Sequence, residues 1–388
     1  MPTKTVYAAR KRNRADHLWI YSNEIIRTED NPAMGDLVKV FDRGRFIGCG
    51  MFNPRSLIAV RLYSTGDEEL DEHLLRRRLE QAYQLRKKKL PGENDFRLVF
   101  GESDWLPGLV IDKYGSHYAI QVYAAGFDNR LDLVTRALLE LFDVTAIFEK
   151  DDIKLREPEG LERRERLLYG TPEPDLVISE NGLRFYVNIS EGQKTGYFFD
   201  HRLTRLKVRK LAKNRRVLDV FCYTGSFAIN AAWGGAKEVK AVDISAAACA
   251  LAERNARLNG VAEKCEFVVA DAFEYMRDLL RKGERFELIN LDPPAFIKAQ
   301  KQKKSGINGY LKLNRLALKL LTPGGILVSS SCSHYLFWQD LLDVIARAAQ
   351  ETNRTFVILD RSQQGPDHPV LPQMPESEYL RCLIVQVD

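Results

Sequence analysis

VLDVFCYTGSFAINAAWGGAKEVKAVD, residues 217–243, is the stretch that decides the fold. A short apolar run that contains Asp219 leads into a turn through Thr224 and Gly225, and an alanine-rich segment follows. A second apolar run then ends on Asp243. This order predicts one βαβ unit with a ligand-binding turn at the carboxyl end of its first strand. Because GxGxxG is absent, the stretch alone indicates only a nucleotide-like cofactor.

The same alternation continues towards the end of the chain. Three further apolar runs predict parallel strands, and Phe356–Asp360 and Tyr379–Val387 predict an antiparallel pair at the sheet edge. In an open parallel sheet the carboxyl ends of the strands share one edge, and ligands bind there. The groups that we expect along this edge are Asp219, Asp243, Asp271, Asp292 and Cys332.

Size and composition restrict the class of protein. A chain of 388 residues is expected to form two or three domains, and a hydrophobic fraction of 45% is that of a globular protein. The sequence has no apolar run long enough for a membrane span, and its first residues, MPTKTVYAARKRNR, lack the apolar segment expected of a signal peptide. Its six cysteines are scattered, without a CxxC or a Cys/His cluster. We therefore expect a cytoplasmic protein without a metal site.

The positive charge lies mostly at the front of the chain. Residues 1–90 hold 18 Lys and Arg against 12 Asp and Glu, whereas the whole chain has a net charge of +5. Residues 1–66 contain short β-type runs behind a basic lip that includes Arg12 and Arg14. This pattern favours a small all-β module that binds a polyanion, and a solvated surface is the alternative.

The middle of the chain predicts an α+β unit. Residues 67–91 form a helix with acids in its first turns and bases in its last, and Asn181–Gly182 marks a hairpin. Glu157–Pro174 is charged and contains proline, so we expect a surface loop. Residues 192–202, GQKTGYFFDHR, are dense in polar and aromatic groups and predict a cofactor clamp. The predicted domains are 1–68, 69–188 and 189–388.

The whole chain resembles the RlmI-type family of 23S ribosomal RNA cytosine-C5 methyltransferases. The resemblance implies a doubly wound, seven-stranded class I methyltransferase sheet at the C-terminus, preceded by a PUA-like all-β barrel and a central α+β domain. The motifs that carry it are GQKTGYFFDHR (192–202), VLDVFCYTGSFA (217–228), VDIS (242–245), DAF (271–273), DPPAF (292–296), SSSCS (329–333) and DHPV (367–370).

The family also implies the ligands and their residues. Its cofactor is S-adenosylmethionine, with S-adenosylhomocysteine as product, and its partner is 23S ribosomal RNA; a homodimer is compatible, and no membrane or metal is expected. The implied RNA contacts are Arg12, Arg14, Pro293, Phe296, Lys298 and Lys301. The implied cofactor contacts are Lys194, Thr195, Phe199, Asp200, Asp219, Phe221, Thr224, Gly225, Asp243, Ile244, Asp271, Ala272 and Asp292.

Cys332 indicates which atom is methylated. Carbon 5 of cytosine is too weak a nucleophile to attack a methyl sulfonium, but a thiolate that adds to carbon 6 activates it. Methylation of an amine or of guanine N7 needs no thiol. We therefore expect Cys332 to be the nucleophile and Asp292 to bind the base, without the second cysteine that some related enzymes have, since Ala295 and Phe296 occupy that place. The alternatives are an RNA guanine methyltransferase and a non-catalytic ribosome-assembly factor.

Overall fold

The computed structural model describes residues 4–11, 16–190, 192 and 195–388. The chain divides into two compact units. The first comprises Met1–Ile178, Val187–Phe199 and Pro366–Ser377, and the second comprises Ser179–Tyr186, Asp200–Gly365 and Glu378–Asp388. The domain boundaries at 68 and 188 stay a prediction.

The first unit begins with an all-β part. Within residues 4–11 and 16–64 one sheet has the strand order β2-β6-β5-β4-β1-β3, and β1 is parallel to β4. Alternate residues of β4, including Val38 and Val40, are buried, as expected of a sheet with one face on a core. The strands are β1 (Lys4–Ala8), β2 (Trp19–Tyr21), β3 (Ile25–Glu29), β4 (Leu37–Asp42), β5 (Arg45–Phe52) and β6 (Ile58–Ser64).

An α+β part completes the first unit. Its sheet has the order β11-β10-β9-β8-β7. Helix α1 starts where the Asp71 carboxylate accepts a hydrogen bond of 2.8 Å from Leu74 N, and four bases fill its last turn. The elements are α1 (Glu72–Lys89), β7 (Phe96–Phe100), β8 (Leu109–Tyr114), β9 (His117–Val122), α2 (Ala125–Asp128), α3 (Leu131–Leu141), β10 (Ala146–Lys150) and β11 (Glu165–Gly170).

Strand β11 corrects the prediction of a surface loop over residues 157–174. It pairs antiparallel with β10. Arg164 Nε and Arg166 Nε donate to the two Glu149 oxygens at 2.5 and 2.6 Å. Two of the charged residues that suggested a solvated loop, Arg164 and Arg166, are therefore partners of a buried acid on the neighbouring strand.

The hairpin signal at Asn181–Gly182 is confirmed. Strands β12 (Leu176–Glu180) and β13 (Leu183–Val187) form a two-stranded sheet. Asn181 and Gly182 between them have φ values of 52° and 78°, the left-handed pair that a two-residue type I′ turn requires.

The second unit is an α/β sheet with helices. Residues 200–388 are described without a gap. The elements are α4 (Arg202–Leu211), β14 (Arg216–Val220), α5 (Ser226–Trp233), β15 (Glu238–Asp243), α6 (Ala246–Leu258), β16 (Cys265–Val269), α7 (Ala272–Arg281), β17 (Phe286–Leu291), α8 (Lys303–Leu320), β18 (Leu321–Ser331), α9 (Trp338–Glu351), β19 (Phe356–Gln363) and β20 (Arg381–Val387). The seven strands form one sheet in the order β16-β15-β14-β17-β18-β20-β19.

The strand order of this sheet reverses beside β14. The chain passes outwards through β15 and β16, returns to β17 on the other side of β14, and continues to β18. Such a switch point opens a crevice at the carboxyl ends of β14 and β17, where ligands bind in doubly wound sheets. The antiparallel pair of β19 and β20 at the edge is confirmed. None of the described helices combines the length and the apolar character that crossing a bilayer requires.

Candidate active site

The turn after β14 has an unusual backbone. Phe221, Tyr223 and Gly225 have φ values of 66°, 47° and 81°. Gly225 N closes the turn with a hydrogen bond of 2.8 Å to Cys222 O. Left-handed conformations are uncommon outside glycine and cluster at ligand-binding sites. The turn that the sequence marked as ligand-binding therefore has backbone strain of the kind expected there.

Asp243 is held in place at the end of β15. Its Oδ2 accepts from Tyr223 N at 3.0 Å, and its Oδ1 accepts from Ser245 N at 2.9 Å. Each oxygen keeps a further lone pair, and the residue is partly exposed. Ile244 beside it is 75% exposed, so an apolar side chain lies open next to an acceptor pair. The two acceptor oxygens of Asp243 fit a ribose diol, and the exposed Ile244 side chain fits an adenine ring.

Asp219 is a buried acid of another kind. Its Oδ2 accepts from Ala228 N at 3.0 Å and its Oδ1 from Asn290 Nδ2 at 2.8 Å. Burial raises the pKa of Asp219 to about 7, although the Asn290 bond opposes this. Asp219 therefore ties the first turn of α5 to β17. Asp271 is exposed, and its carboxylate caps α7 by accepting a hydrogen bond of 3.0 Å from Glu274 N. Asp219, Asp243 and Asp271 therefore have different roles.

Asp292 follows β17 and bonds a buried histidine. His201 Nε2 lies 3.1 Å from Asp292 Oδ1. Burial lowers the pKa of His201, but the Asp292 carboxylate outweighs this, so that the pKa is raised overall. His201 Nδ1 is buried and has no hydrogen-bond partner in the described residues. One Asp292 oxygen thus has a hydrogen-bond partner, and the Asp292 side chain is 25% exposed.

The segment after Asp292 packs against α8. Pro293 and Ile297 are buried. The Phe296 ring centroid lies 4.8 Å from that of Tyr310 and 6.4 Å from that of Phe273. Phe296 is therefore largely engaged by protein rings, and its stacking on an RNA base stays a prediction.

Cys332 follows β18 between two buried serines. Ser331 Oγ donates to Tyr310 Oη at 2.8 Å, and Ser333 Oγ lies 2.8 Å from the same oxygen. Ser333 Oγ also accepts from Ile297 N at 3.2 Å. Because β17 and β18 are parallel neighbours, Cys332 and Asp292 follow adjacent strand ends. The Tyr310 hydroxyl thus fixes the backbone on both sides of Cys332.

The predicted clamp residues fall in different places. Thr195 and Phe199 belong to the first unit, where both are buried, and Thr195 O accepts from Tyr114 Oη at 3.1 Å. Asp200 belongs to the second unit, and its Oδ2 accepts from Tyr379 Oη at 2.6 Å. Lys194, Arg12 and Arg14 lie outside the described residues.

The remaining predicted residues differ in exposure. Thr224 and Ala272 are buried, and Thr224 O accepts from Asn255 Nδ2 at 3.1 Å. Lys298 and Lys301 are exposed. Sequence reasoning missed His201 and Tyr310: His201 lay within the quoted DHR motif, whereas no local pattern marked Tyr310 as a partner of the serines.

Acidic side chains form one cluster in the first unit. One carboxylate oxygen from each of Asp128, Glu149 and Asp151 lies within 4.8 Å of the others. Arg156 bonds Asp128 at 2.7 Å and Asp151 at 2.6 Å, and Arg164 bonds Glu149 at 2.5 Å. Guanidinium groups therefore balance these charges, and the cluster gives no reason to propose a metal.

Comparisons with known proteins identify the family of the chain. The S-adenosylmethionine-dependent methyltransferase family matches residues 160–382, and a PUA-like domain matches residues 8–65. The chain is 39% identical to ribosomal RNA large subunit methyltransferase I of Aeromonas salmonicida, covering 95% of both chains. It is 38% identical to the protein of that name from Tolumonas auensis, over 98% of this chain and 99% of the other.

A solved structure shares the fold. The crystal structure of SMU.776 complexed with SAH aligns over 100% of both chains with a TM-score of 0.85 and 24% identity. The expected seven-stranded methyltransferase sheet and PUA-like front are confirmed. The chain therefore belongs to the ribosomal RNA large subunit methyltransferase I family, with S-adenosylmethionine as its cofactor.

Proposed function

We propose that this protein transfers a methyl group to carbon 5 of a cytosine in 23S ribosomal RNA through a covalent cysteine adduct. The names of its relatives support a large-subunit ribosomal RNA as the substrate. The observation that carries the choice of atom is Cys332, a thiol that follows β18 next to the strand end that presents Asp292. An enzyme that methylates an amine has no use for a thiol at this place.

The cofactor contacts follow from the edge of the sheet. Asp243 would accept hydrogen bonds from the ribose hydroxyls, and Ile244 would pack on the adenine. The strained turn from Phe221 to Gly225 would hold the methionine end. When bound, S-adenosylmethionine supplies the electrophilic methyl group that carbon 5 accepts.

Cys332 performs the activation. Its thiolate adds to carbon 6, and the electron pair of the 5,6 double bond is pushed to carbon 5, which becomes an enamine-type nucleophile. After carbon 5 is methylated, its proton leaves to a base. The carbon–sulfur bond then breaks, the double bond re-forms, and the thiolate is free again. Cys332 is partly exposed, so it is accessible to a cytosine that has flipped out of the RNA stack.

Asp292 positions the cytosine. Its Oδ1 is bonded to His201, which leaves Oδ2 for the exocyclic amine of the base. His201 keeps a proton beside the carboxyl group. This proton can pass to Asp292 when cytosine N3 needs a hydrogen-bond donor. His201 and Asp292 would thus act together on the Watson–Crick edge.

The deciding experiment removes the nucleophile. Cys332→Ser keeps nearly the same volume but replaces the thiol with a hydroxyl that barely ionises near neutrality. We expect methylation to collapse while affinity for S-adenosylmethionine stays close to wild type. RNA that carries 5-fluorocytosine at the target should trap a covalent adduct with the wild type only, because fluorine cannot leave as a proton does. Cys265→Ser, at a partly exposed cysteine that begins β16 and so lies away from the carboxyl ends of the strands, is the matched control. Near-normal methylation by Cys332→Ser would return the guanine and amine alternatives.

A further inference from the structure

The first unit contains a cavity that the proposed reaction does not use. Its volume is about 380 Å³, within the range of small-molecule sites. It lies between α1, the β8–β9 turn and the end of α3. Its lining includes the rings of Tyr83, Tyr118 and Phe142, the Lys113 ammonium, the Asn94 amide and the Glu80 carboxylate.

Aromatic rings form one wall of this cavity. The Phe142 ring centroid lies 5.2 Å from that of Tyr83 and 5.9 Å from that of Tyr118, with the latter pair stacked. Tyr83 and Phe142 keep part of their surface exposed. A planar ligand can therefore extend this stack from the open side.

Tyr118 stacks on Phe142 and has no exposed surface. Its hydroxyl has no hydrogen-bond partner in the described residues, but because it is fully buried a ligand in the cavity would not reach it. Tyr118 therefore supports the aromatic wall, and the contact surface comes from Tyr83 and Phe142.

Lysines lie at the rim. Lys113 Nζ donates to Asn94 O at 3.1 Å, and Lys87 Nζ donates to Asn94 Oδ1 at 3.2 Å. Lys88 and Lys89 follow in the last turn of α1 and are exposed. Partial burial lowers the pKa of Lys113, although the Asp95 and Asp143 carboxylates oppose this. The rim therefore suits a phosphate.

Acids decide how a ligand would be oriented. Glu80 and Asp143 also line the cavity, so a phosphate inside it would meet two negative charges. The same carboxylates can accept hydrogen bonds from the amino group of a base. A nucleotide is therefore expected to place its base inside, on the rings, and its phosphate outside, towards the lysines.

We propose that this cavity binds one unpaired nucleotide of the RNA, with its base stacked on Phe142 and Tyr83 and its phosphate beside Lys87 and Lys113. This nucleotide site depends on the proposed function in one respect, namely that RNA is the substrate. Single-strand binders combine the same two features, a basic track and aromatic platforms. The contact gives the RNA a further point of attachment and selects a single-stranded segment.

The test compares the affinity of full-length variants for a fluorescent single-stranded RNA of about ten nucleotides, a length within the site sizes of other single-strand binders. Phe142→Leu removes the stacking face, and we expect binding about fivefold or more weaker. Lys87→Gln removes one charge at the rim and leaves a good helix former in α1, so the melting temperature should stay close to wild type. Its affinity should drop by about threefold, because one phosphate contact is lost. Tyr169→Leu, at an exposed tyrosine of β11 outside the cavity, should bind like the wild type.

The outcomes separate this proposal from the proposed reaction. Wild-type affinity in both Phe142→Leu and Lys87→Gln would overturn the nucleotide site, and so would an equal loss in Tyr169→Leu. RNA with 4-thiouridine should crosslink to peptides that contain Tyr83 or Phe142, and crosslinks confined to other peptides would also overturn it. If wild-type protein formed no 5-methylcytosine, the proposed reaction would fail, while these comparisons would still decide whether the cavity binds RNA.

Discussion

His201 Nε2 lies 3.1 Å from Asp292 Oδ1, so the residue before α4 is bonded to the acid at the end of β17. Asp292 and Asp200 raise the pKa of His201, whereas burial and Arg205 lower it, and the acids prevail. The Phe227 ring lies edge-on at 5.2 Å. An imidazolium is therefore favoured next to the carboxylate that would hold the base.

Replacing His201 should change the pH dependence of both stability and activity. A raised pKa in the folded state means that the pair stabilises fully below the unfolded value of about 6.5 and that this contribution is lost as the pH rises through the folded pKa. The difference in unfolding free energy between wild type and His201→Gln should therefore be larger at pH 6 than at pH 9, by chemical denaturation. The decline of the wild-type methylation rate at high pH should be absent in the variant.

His73→Gln provides the matched control for this prediction, because His73 is an exposed histidine on α1. It should leave both profiles unchanged. The raised pKa of Asp219 makes the free energy of unfolding fall as the pH rises from about 4 to 7. This effect is common to all three proteins and cancels in the comparison. Equal pH profiles for wild type and His201→Gln would show that the pair has no part in the reaction.

Asp243 should decide the affinity for the cofactor. A charge-assisted hydrogen bond contributes roughly 1.5–3 kcal/mol, so Asp243→Ala is expected to bind S-adenosylmethionine at least about tenfold more weakly in calorimetry. The carboxylate also bonds Tyr223 N, so part of the loss would come from a looser turn. Ser245→Ala is the matched control, since it loses only the helix cap at 3.2 Å to Ala248 N and should keep nearly full affinity. Unchanged affinity in Asp243→Ala would exclude the ribose role.

Local patterns were enough to predict much of the fold. Strand β16 lies in one of the three further apolar runs, at residues 265–269, and the β12–β13 hairpin turns at Asn181 and Gly182 as that dipeptide predicted. These features depend on neighbours in the sequence. The candidate site does not, since His201 and Asp292 are 91 residues apart and Tyr310 is 21 residues from Ser331. No spacing rule connects such pairs.

Charge was the least informative pattern. The excess of bases in residues 1–90 suggested a basic surface, yet several of them are ion-paired within the first unit. Arg86 bonds Asp104 at 2.5 Å, and both are buried. Arg61 bonds Glu159 at 2.7 Å. The acids that balance these arginines lie beyond residue 90, so counting charges along one segment overstates its positive surface.

Two glycines of α8 should respond differently to alanine. Alanine normally stabilises a helix by about 1 kcal/mol relative to glycine, while overpacking costs about 1–3 kcal/mol. A Cβ at Gly306 would lie 2.9 Å from Phe296 O, in a backbone that cannot easily move, whereas at Gly309 it would lie 3.0 Å from the Phe296 ring. Gly306→Ala should therefore be destabilised by about 1–2 kcal/mol in chemical denaturation, and Gly309→Ala should be nearly neutral. The reverse order would contradict this packing.

Tyr310→Phe should impair the chemical step more than binding. The hydroxyl bonds Ser331 and Ser333 on either side of Cys332, and each bond contributes about 0.5–1.5 kcal/mol. Without it the thiol would be less well placed, so kcat should fall about tenfold or more while KM for RNA changes little. Trapping of 5-fluorocytosine RNA should slow in proportion. Tyr275→Phe removes a hydroxyl of α7 that is not part of this network and should keep full activity. A loss of stability with normal kcat would mean that the hydroxyl supports the fold and does not position Cys332.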